Sequence, residues 1–260
     1  MNTDDIRNLR ELLHRMQKYD PELRVFGSTH HKYRLGPPVS EEELTRFEQQ
    51  YQVTLPAEYR FFLKEVGNGS AIHSSAPVIA INSGAGPNYG LLPLQETAAG
   101  SDLSKPFPLL PSPPEQPVKG KDEWGDEVLW PGILEISHKG CAFYTYLVVN
   151  GPAYGTVWDA DTDQVNFYPT GLTFEAWYRR WLDKVIDRAL PMLANERLAA
   201  RVSVGMTKAE AIRICGGRWQ QKNIGGSLRF LYFEHLATQF QLDENDTVER
   251  IVRHSISLGK

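Results

Sequence analysis

Four places in this 260-residue chain carry residue types and spacings that could do chemistry. His138 and Cys141 lie close in sequence, and an imidazole beside a thiol is the pairing of a base with its nucleophile. Around the turn at Gly140 those side chains need not meet, and no third group that would orient His138 can be picked out. Asp159, Asp161 and Asp163 alternate as the first ligands of a calcium loop do. Such a loop needs Gly at its sixth position and Glu at its twelfth. Counted from Asp159, those positions hold Gln164 and Thr170, so the acids read as turn chemistry. His30 and His31 are adjacent, and neighbours do not share one helical or strand face as ligands do. Their stretch, STHHKYRLGPP, reads as a solvated loop. The Gly-rich NSGAGPNYG follows a strand-like PVIAI, but it has neither the dinucleotide fingerprint nor the Lys-Ser/Thr of a phosphate loop. It reads as a turn. The residues therefore point to no catalytic group, no metal site and no cofactor.

The elements that would position any site are clearer. Residues 4 to 18 are amphipathic, with Ile6, Leu9, Leu13 and Met16 near helical spacing and Asp4 and Asp5 at the end that favours negative charge. Residues 40 to 70 read as a helical pair. Ser40 and Glu43 form a capping box, and Leu44, Phe47 and Tyr51 make the first apolar face. Pro56 opens the second helix, whose stripe is Tyr59, Phe62, Leu63 and Val66. Gly67-Asn68-Gly69 would end it with residues that accept positive φ. Residues 101 to 126 hold prolines at 106, 108, 111, 113, 114 and 117 and read as a long irregular loop, partly extended. Long loops inside compact domains are often functional.

From Leu129 on, aromatic and β-branched runs alternate with turn residues: WPGILEISHKG, CAFYTYLVVNG and YGTVWDADTDQVNFYP. This is the pattern of an antiparallel meander. Thr173 then opens the strongest helix, with Phe174, Trp177, Tyr178, Trp181, Leu182, Val185 and Ile186 on one stripe and Pro191 near its end. Residues 193–260 form a smaller unit. Thr207 and Glu210 make a second capping box, Ile212 and Cys215 are apolar, and Gly216-Gly217 close the helix. Three strands follow, SLRFLYFE, ATQFQLD and TVERIVR.

LPAEYRFFLKEVGNGS resembles the signature of the SUKH superfamily of immunity proteins and cell-wall regulators, through Leu55, Pro56, Tyr59, Phe62, Leu63, Asn68 and Gly69. The later block is similar to bacterial members in its Gly-Cys pair, Gly-Pro turn and Gly-x-Val-Trp strand, at Gly140, Cys141, Gly151, Pro152, Gly155, Val157 and Trp158. Phe174 and Trp177 resemble that family's closing helix, so the likeness spans residues 4 to 190. It implies an α+β fold, a mostly antiparallel sheet with packed helices, over residues 1–192. It also implies that Cys141 is a small structural residue entering a buried strand. Through its opening Gly205-Met206-Thr207-x-x-Glu210 and its strand order, the unit after it resembles the small module of the SmpA/OmlA lipoproteins and β-lactamase-inhibitor-like domains, a helix with an antiparallel sheet, and such modules mostly bind proteins.

Composition narrows the function classes only a little. The net charge of −4 and a sequence pI near 6.0 disfavour direct nucleic-acid binding, whose footprint is basic. Two distant cysteines suggest a reducing, cytoplasmic setting. The N-terminal residues lack the apolar core of a signal peptide, and no run reaches the length of a membrane span. By the resemblance, the function is that of a non-catalytic immunity protein which neutralises a cognate toxin, such as a nuclease, by binding it. A regulatory scaffold of the same fold is the alternative. The contact residues singled out are Trp124, Asp122, Glu123, Asp126 and Glu127 in KGKDEWGDEVLW, an aromatic anchor ringed by charge. The other reading of Trp124 is that it fills the domain's own core. Oligomeric state is left open.

Overall fold

A computed structural model describes residues 3–69, 83–98, 101–110, 118–119, 130–164, 166–225 and 228–258. The chain divides into two compact units, one of residues 1–15 and 27–182, the other of residues 16–26 and 183–260.

Helix α1 (Thr3–Tyr19), whose residues up to Arg15 belong to the first unit, has Asp4 and Asp5 in its first turn. Its Leu9, Leu12 and Leu13 are buried, as the periodicity requires. The short α2 (Ser28–His31) follows. α3 (Glu41–Tyr51) starts at the expected capping box: Ser40 Oγ accepts the Glu43 N–H at 3.2 Å, and Glu43 Oε2 accepts the Ser40 N–H at 3.0 Å. α4 (Ala57–Phe61) runs into a π-helical turn, Phe62–Val66, and Tyr59, Phe62, Leu63 and Val66 are all buried.

The exit from that turn differs from the left-handed stop that Gly67-Asn68-Gly69 suggested. Gly67 is extended, and no left-handed residue occurs among the three. Glycine is needed there for closeness instead. A Cβ on Gly67 would lie 2.7 Å from the Gly36 carbonyl oxygen, and one on Gly69 would lie 2.0 Å from the Leu92 backbone. Asn68 is a clasp between segments. Its N–H donates to Gly36 O, its carbonyl accepts from Gly36 N, and its Oδ1 accepts the N–H groups of Gly69 and Leu94 at 2.8 and 2.9 Å. Leu94 opens the short α5 (Leu94–Thr97).

The sheet has the order β1-β5-β4-β3-β2 and is antiparallel throughout. Its strands are β1 (Val118–Lys119), β2 (Ile133–Gly140), β3 (Phe143–Val148), β4 (Thr156–Asp161) and β5 (Asn166–Thr173). The meander of β2 to β5 is the one read from sequence. β1 was not: it lies inside the stretch read as an irregular loop and pairs Val118 with Phe167. Register gives the sheet two apolar faces. Leu134, Leu147 and Val157 lie opposite one another on one face, all fully buried. Ile133, Val148, Trp158, Ala160 and Phe167 belong to the other, where Phe107 and Trp130 cover them.

α6 (Phe174–Lys184) buries Phe174, Trp177, Tyr178 and Trp181. Phe174 meets Tyr59 and Phe62 at centroid distances of 4.8 and 5.2 Å, so this helix and the helical pair share one aromatic core. Two sequence expectations fail just beyond it. The helix continues through a π-helical turn, Val185–Ala189, directly into α7 (Leu190–Ala199), so Pro191 stands in a first turn and does not end it. The π turn also rotates the face, because it carries an extra residue. Val185 and Ala189 are buried, whereas Ile186, placed on the stripe by helical spacing, is exposed.

The second unit holds α7, α8 (Lys208–Cys215) and a sheet of order β6-β7-β8-β9: β6 (Trp219–Ile224), β7 (Leu228–Phe233), β8 (Thr238–Leu242) and β9 (Val248–Arg253). The capping box at Thr207 and Glu210 is present. β6 is a fourth strand that periodicity missed, since five of its six residues are exposed and none is buried. The core gathers Ala211, Cys215, Leu231, Phe233, Phe240, Leu242 and Val248. Burial, with Glu196 nearby, pushes the Cys215 thiol up to about 11, so it acts as a small apolar residue. Residues 16–26 are stitched into this unit by a parallel bridge from Val25 to Ile256 and by Arg24, which pairs with the buried Glu196.

Candidate protein-binding surface

The contact residues expected from sequence, Trp124, Asp122, Glu123, Asp126 and Glu127, lie outside the described residues. What is described is the chain on either side of them. On one side it leaves β1, and on the other Trp130 leads into β2; these are the two opposite edges of the sheet. Trp130 itself is fixed against Phe107 and Phe167, and Ser101 Oγ donates to its carbonyl at 3.1 Å.

The sheet face that Trp130 reaches has an unusual property. Rings follow one another along it without a break. His30 packs on Tyr89 at 4.3 Å between centroids, Tyr89 stacks with His138 at 5.8 Å, and His138 meets Tyr144 edge-on at 4.7 Å. Tyr144 is 6.2 Å from Tyr146, and Tyr146 is 6.1 Å from Phe167. The cause is register: His138 lies opposite Tyr144, and Glu135 lies opposite Tyr146. Side chains at directly opposed positions share a face and touch. The inner end of this row is core. The outer end, from Tyr146 to His30, is only partly buried.

Glu135 is the charged group in that row. Neither a hydrogen bond nor an ion pair involves its carboxylate among the described residues. Burial pushes it up to about 7 from the ordinary carboxylate range. The same desolvation, with Glu135 beside them, raises the Tyr144 and Tyr146 phenols. One apolar strand run thus places a costly acid between tyrosines. The sequence reading took ILEISHKG and CAFYTYLVV as strands alone. The signal available was an acid at the position that pairs with the Tyr-x-Tyr of the next strand.

The remaining chemistry resolves as follows. His138 meets Cys141 through the Cys141 carbonyl oxygen, at 3.2 Å from Nε2, and not through the thiol. Cys141 is exposed in the β2–β3 turn with φ of 50°, which corrects its reading as a residue entering a buried strand. Its neighbour Gly140 has φ of 103° and lies against the Tyr89 ring, so this hairpin turn needs an unhindered residue. The solvated loop at His30-His31 is also corrected. His31 is buried, its Nδ1 accepts the Tyr33 N–H at 3.0 Å, and Tyr33 and Trp181 present their rings to it edge-on. Asp159 accepts from Thr145 Oγ1 at 2.8 Å and pairs with Lys139, tying three strands together. Among the described residues no group of His, Cys, Asp and Glu converges as metal ligands would, and no helix is long and apolar enough to cross a membrane. In the second unit a cleft of about 230 Å³ is lined by charged side chains whose partners are near: Arg24 with Glu196, Arg253 with Glu22, and Arg197 over the Tyr19 ring.

Comparison with known proteins agrees with the first unit. The sequence model of the SMI1 / KNR4 family (SUKH-1) matches residues 38–180, from the start of the helical pair to the middle of α6. No curated protein and no solved structure matches the chain.

Proposed function

We propose, from the premise that this chain belongs to the SMI1 / KNR4 family (SUKH-1), that it is an immunity-type protein which neutralises a cognate toxin by binding it. The family match over residues 38–180 carries this reading. Binding is non-catalytic and needs no cofactor, and the setting is the cytoplasm. The net charge of −4 suits a basic toxin domain such as a nuclease, because complementary charge speeds encounter and suppresses wrong partners. Trp124, Asp122, Glu123, Asp126 and Glu127 are the proposed contacts, in the sequence between β1 and Trp130. Residues 193–260 form a domain of their own in this reading, an added protein-binding module like those of the SmpA/OmlA lipoproteins.

The test is a pull-down from source-cell lysate with the purified protein and with Trp124→Ala/Asp126→Lys. The expected result is capture of one basic toxin domain, encoded beside this gene, by the wild type but not the variant. Capture by both moves the contact surface elsewhere and keeps the function. Failure to capture a toxin, with no toxin gene adjacent, overturns the immunity reading in favour of a regulatory scaffold of the same fold.

A further inference from the structure

We propose that Glu135, with Tyr144 and Tyr146 beside it, is a receptor for one arginine side chain of a protein partner. The site deepens the binding reading above and rests on it, but it is built from different residues than the 122–127 segment.

Three observations carry it. The first is placement: Glu135 and Tyr146 are directly opposed across β2 and β3, and Tyr144 follows on the same face, with centroids 6.2 Å apart. A flat cation can therefore lie on tyrosine faces while it reaches the carboxylate. The second is that the Glu135 carboxylate takes no hydrogen bond and no ion pair among the described residues, burial being the one influence on it. Most other partly buried acids among the described residues are committed. Glu196 takes Arg24, Thr238 and the Ala237 amide; Glu48 takes Arg60 and the Leu55 amide; Asp159 takes Lys139 and Thr145. The third is the row continuing to His138 and Tyr89, which gives the arginine stem and its flanking residues an aromatic floor.

The chemistry selects arginine. A guanidinium stacks on aromatic faces and donates two parallel N–H bonds to one carboxylate, whereas an ammonium is a more strongly hydrated point charge. A cation over a partly desolvated tyrosine gains further from the ring quadrupole. Arrival of the cation would favour the ionised carboxylate, which burial alone disfavours. The occupant would thus relieve a strain that the free protein carries.

The experiment uses the full chain and a fluorescein-labelled Gly-Arg-Gly peptide, read by anisotropy, with the citrulline peptide as its neutral isostere. Saturable binding is expected for the arginine peptide, weakened about tenfold or more by citrulline and by Glu135→Gln. Glu42→Gln, which removes an exposed acid from α3, controls for net charge and should leave binding unchanged. Glu135→Gln removes a poorly solvated charge, so it should fold at least as well as the wild type, and circular dichroism verifies that. Tyr146→Leu should weaken the arginine peptide severalfold while leaving Glu135 in place. No saturable binding, or equal binding by Glu135→Gln or by the citrulline peptide, overturns the proposal. Because no toxin is used, that failure is distinct from failure of the pull-down: a partner captured without arginine binding would keep the function and remove this site.

Discussion

His31 offers the sharpest test of the fold, because burial makes it sensitive to acid. Its imidazole is held down to about 3 from an ordinary 6.5, by desolvation first and by its neighbour His30 second. A depressed histidine contributes stability that is present above the unfolded value and lost as pH falls toward the folded one. From about pH 7.5 to about pH 5 the unfolded chain takes up a proton at this residue and the native chain does not. That interval runs about 1.5 units below 6.5, and at about 1.4 kcal/mol per unit it removes about 2 kcal/mol. His31→Asn keeps an acceptor near Nδ1 for the Tyr33 N–H but cannot titrate. The variant should be less stable than the wild type at neutral pH, from lost packing, and should lose about 2 kcal/mol less on acidification. Urea unfolding followed by tryptophan fluorescence at both pH values measures this. All other ionising groups are shared, so the difference isolates His31. Equal losses in the two proteins would refute the burial argument.

Four other outcomes are expected. Glu135 has the opposite sign: its raised carboxyl stabilises the protonated native state, so wild-type stability should fall from about pH 4.5 to about pH 7. Glu135→Gln should flatten that fall and be more stable at about pH 8, by about 2 kcal/mol once partial exposure is discounted, as urea titrations at both ends will show. Glu196→Ala strands Arg24 in the second unit and should cost about 3–5 kcal/mol in thermal unfolding. Asn68→Ala leaves the amides of Gly69 and Leu94 without their acceptor and should cost about 2 kcal/mol or more by urea unfolding. In the π turn, Ile186→Ser should lie within about 0.5 kcal/mol of wild type while Val185→Ala costs about 1–3, a contrast that a regular helix would not give.

Much of the fold was legible because local chemistry and tertiary packing agree. Ser40 with Glu43 and Thr207 with Glu210 carry their capping partners within one turn, so spacing alone identifies them. The β2–β5 meander is marked by alternation between turn residues. The misreadings turn on features that residue spacing alone does not show. Gly69 is required by the Leu92 backbone, Ile186 is turned outward by an extra residue in the helix, and β6 is polar and exposed, held by pairing with β7. His31 looks solvated beside Lys32 until Trp181 closes on it. Likewise Glu135 is an ordinary strand acid in the sequence, and only register brings Tyr146 opposite it.

The bridge from Val25 to Ile256 has a consequence for biosynthesis. A chain made from its N-terminus presents Met16–Phe26 early, but the strands that complete their unit emerge only near residue 256. Residues 27–182 leave the ribosome in between and can fold while the earlier segment waits. The second unit is therefore discontinuous, and a fragment cut at residue 183 would lack one of its own edges. A chain in which residues 16–26 followed directly on residue 258 would make that unit contiguous, and its refolding would no longer depend on closing so long a loop.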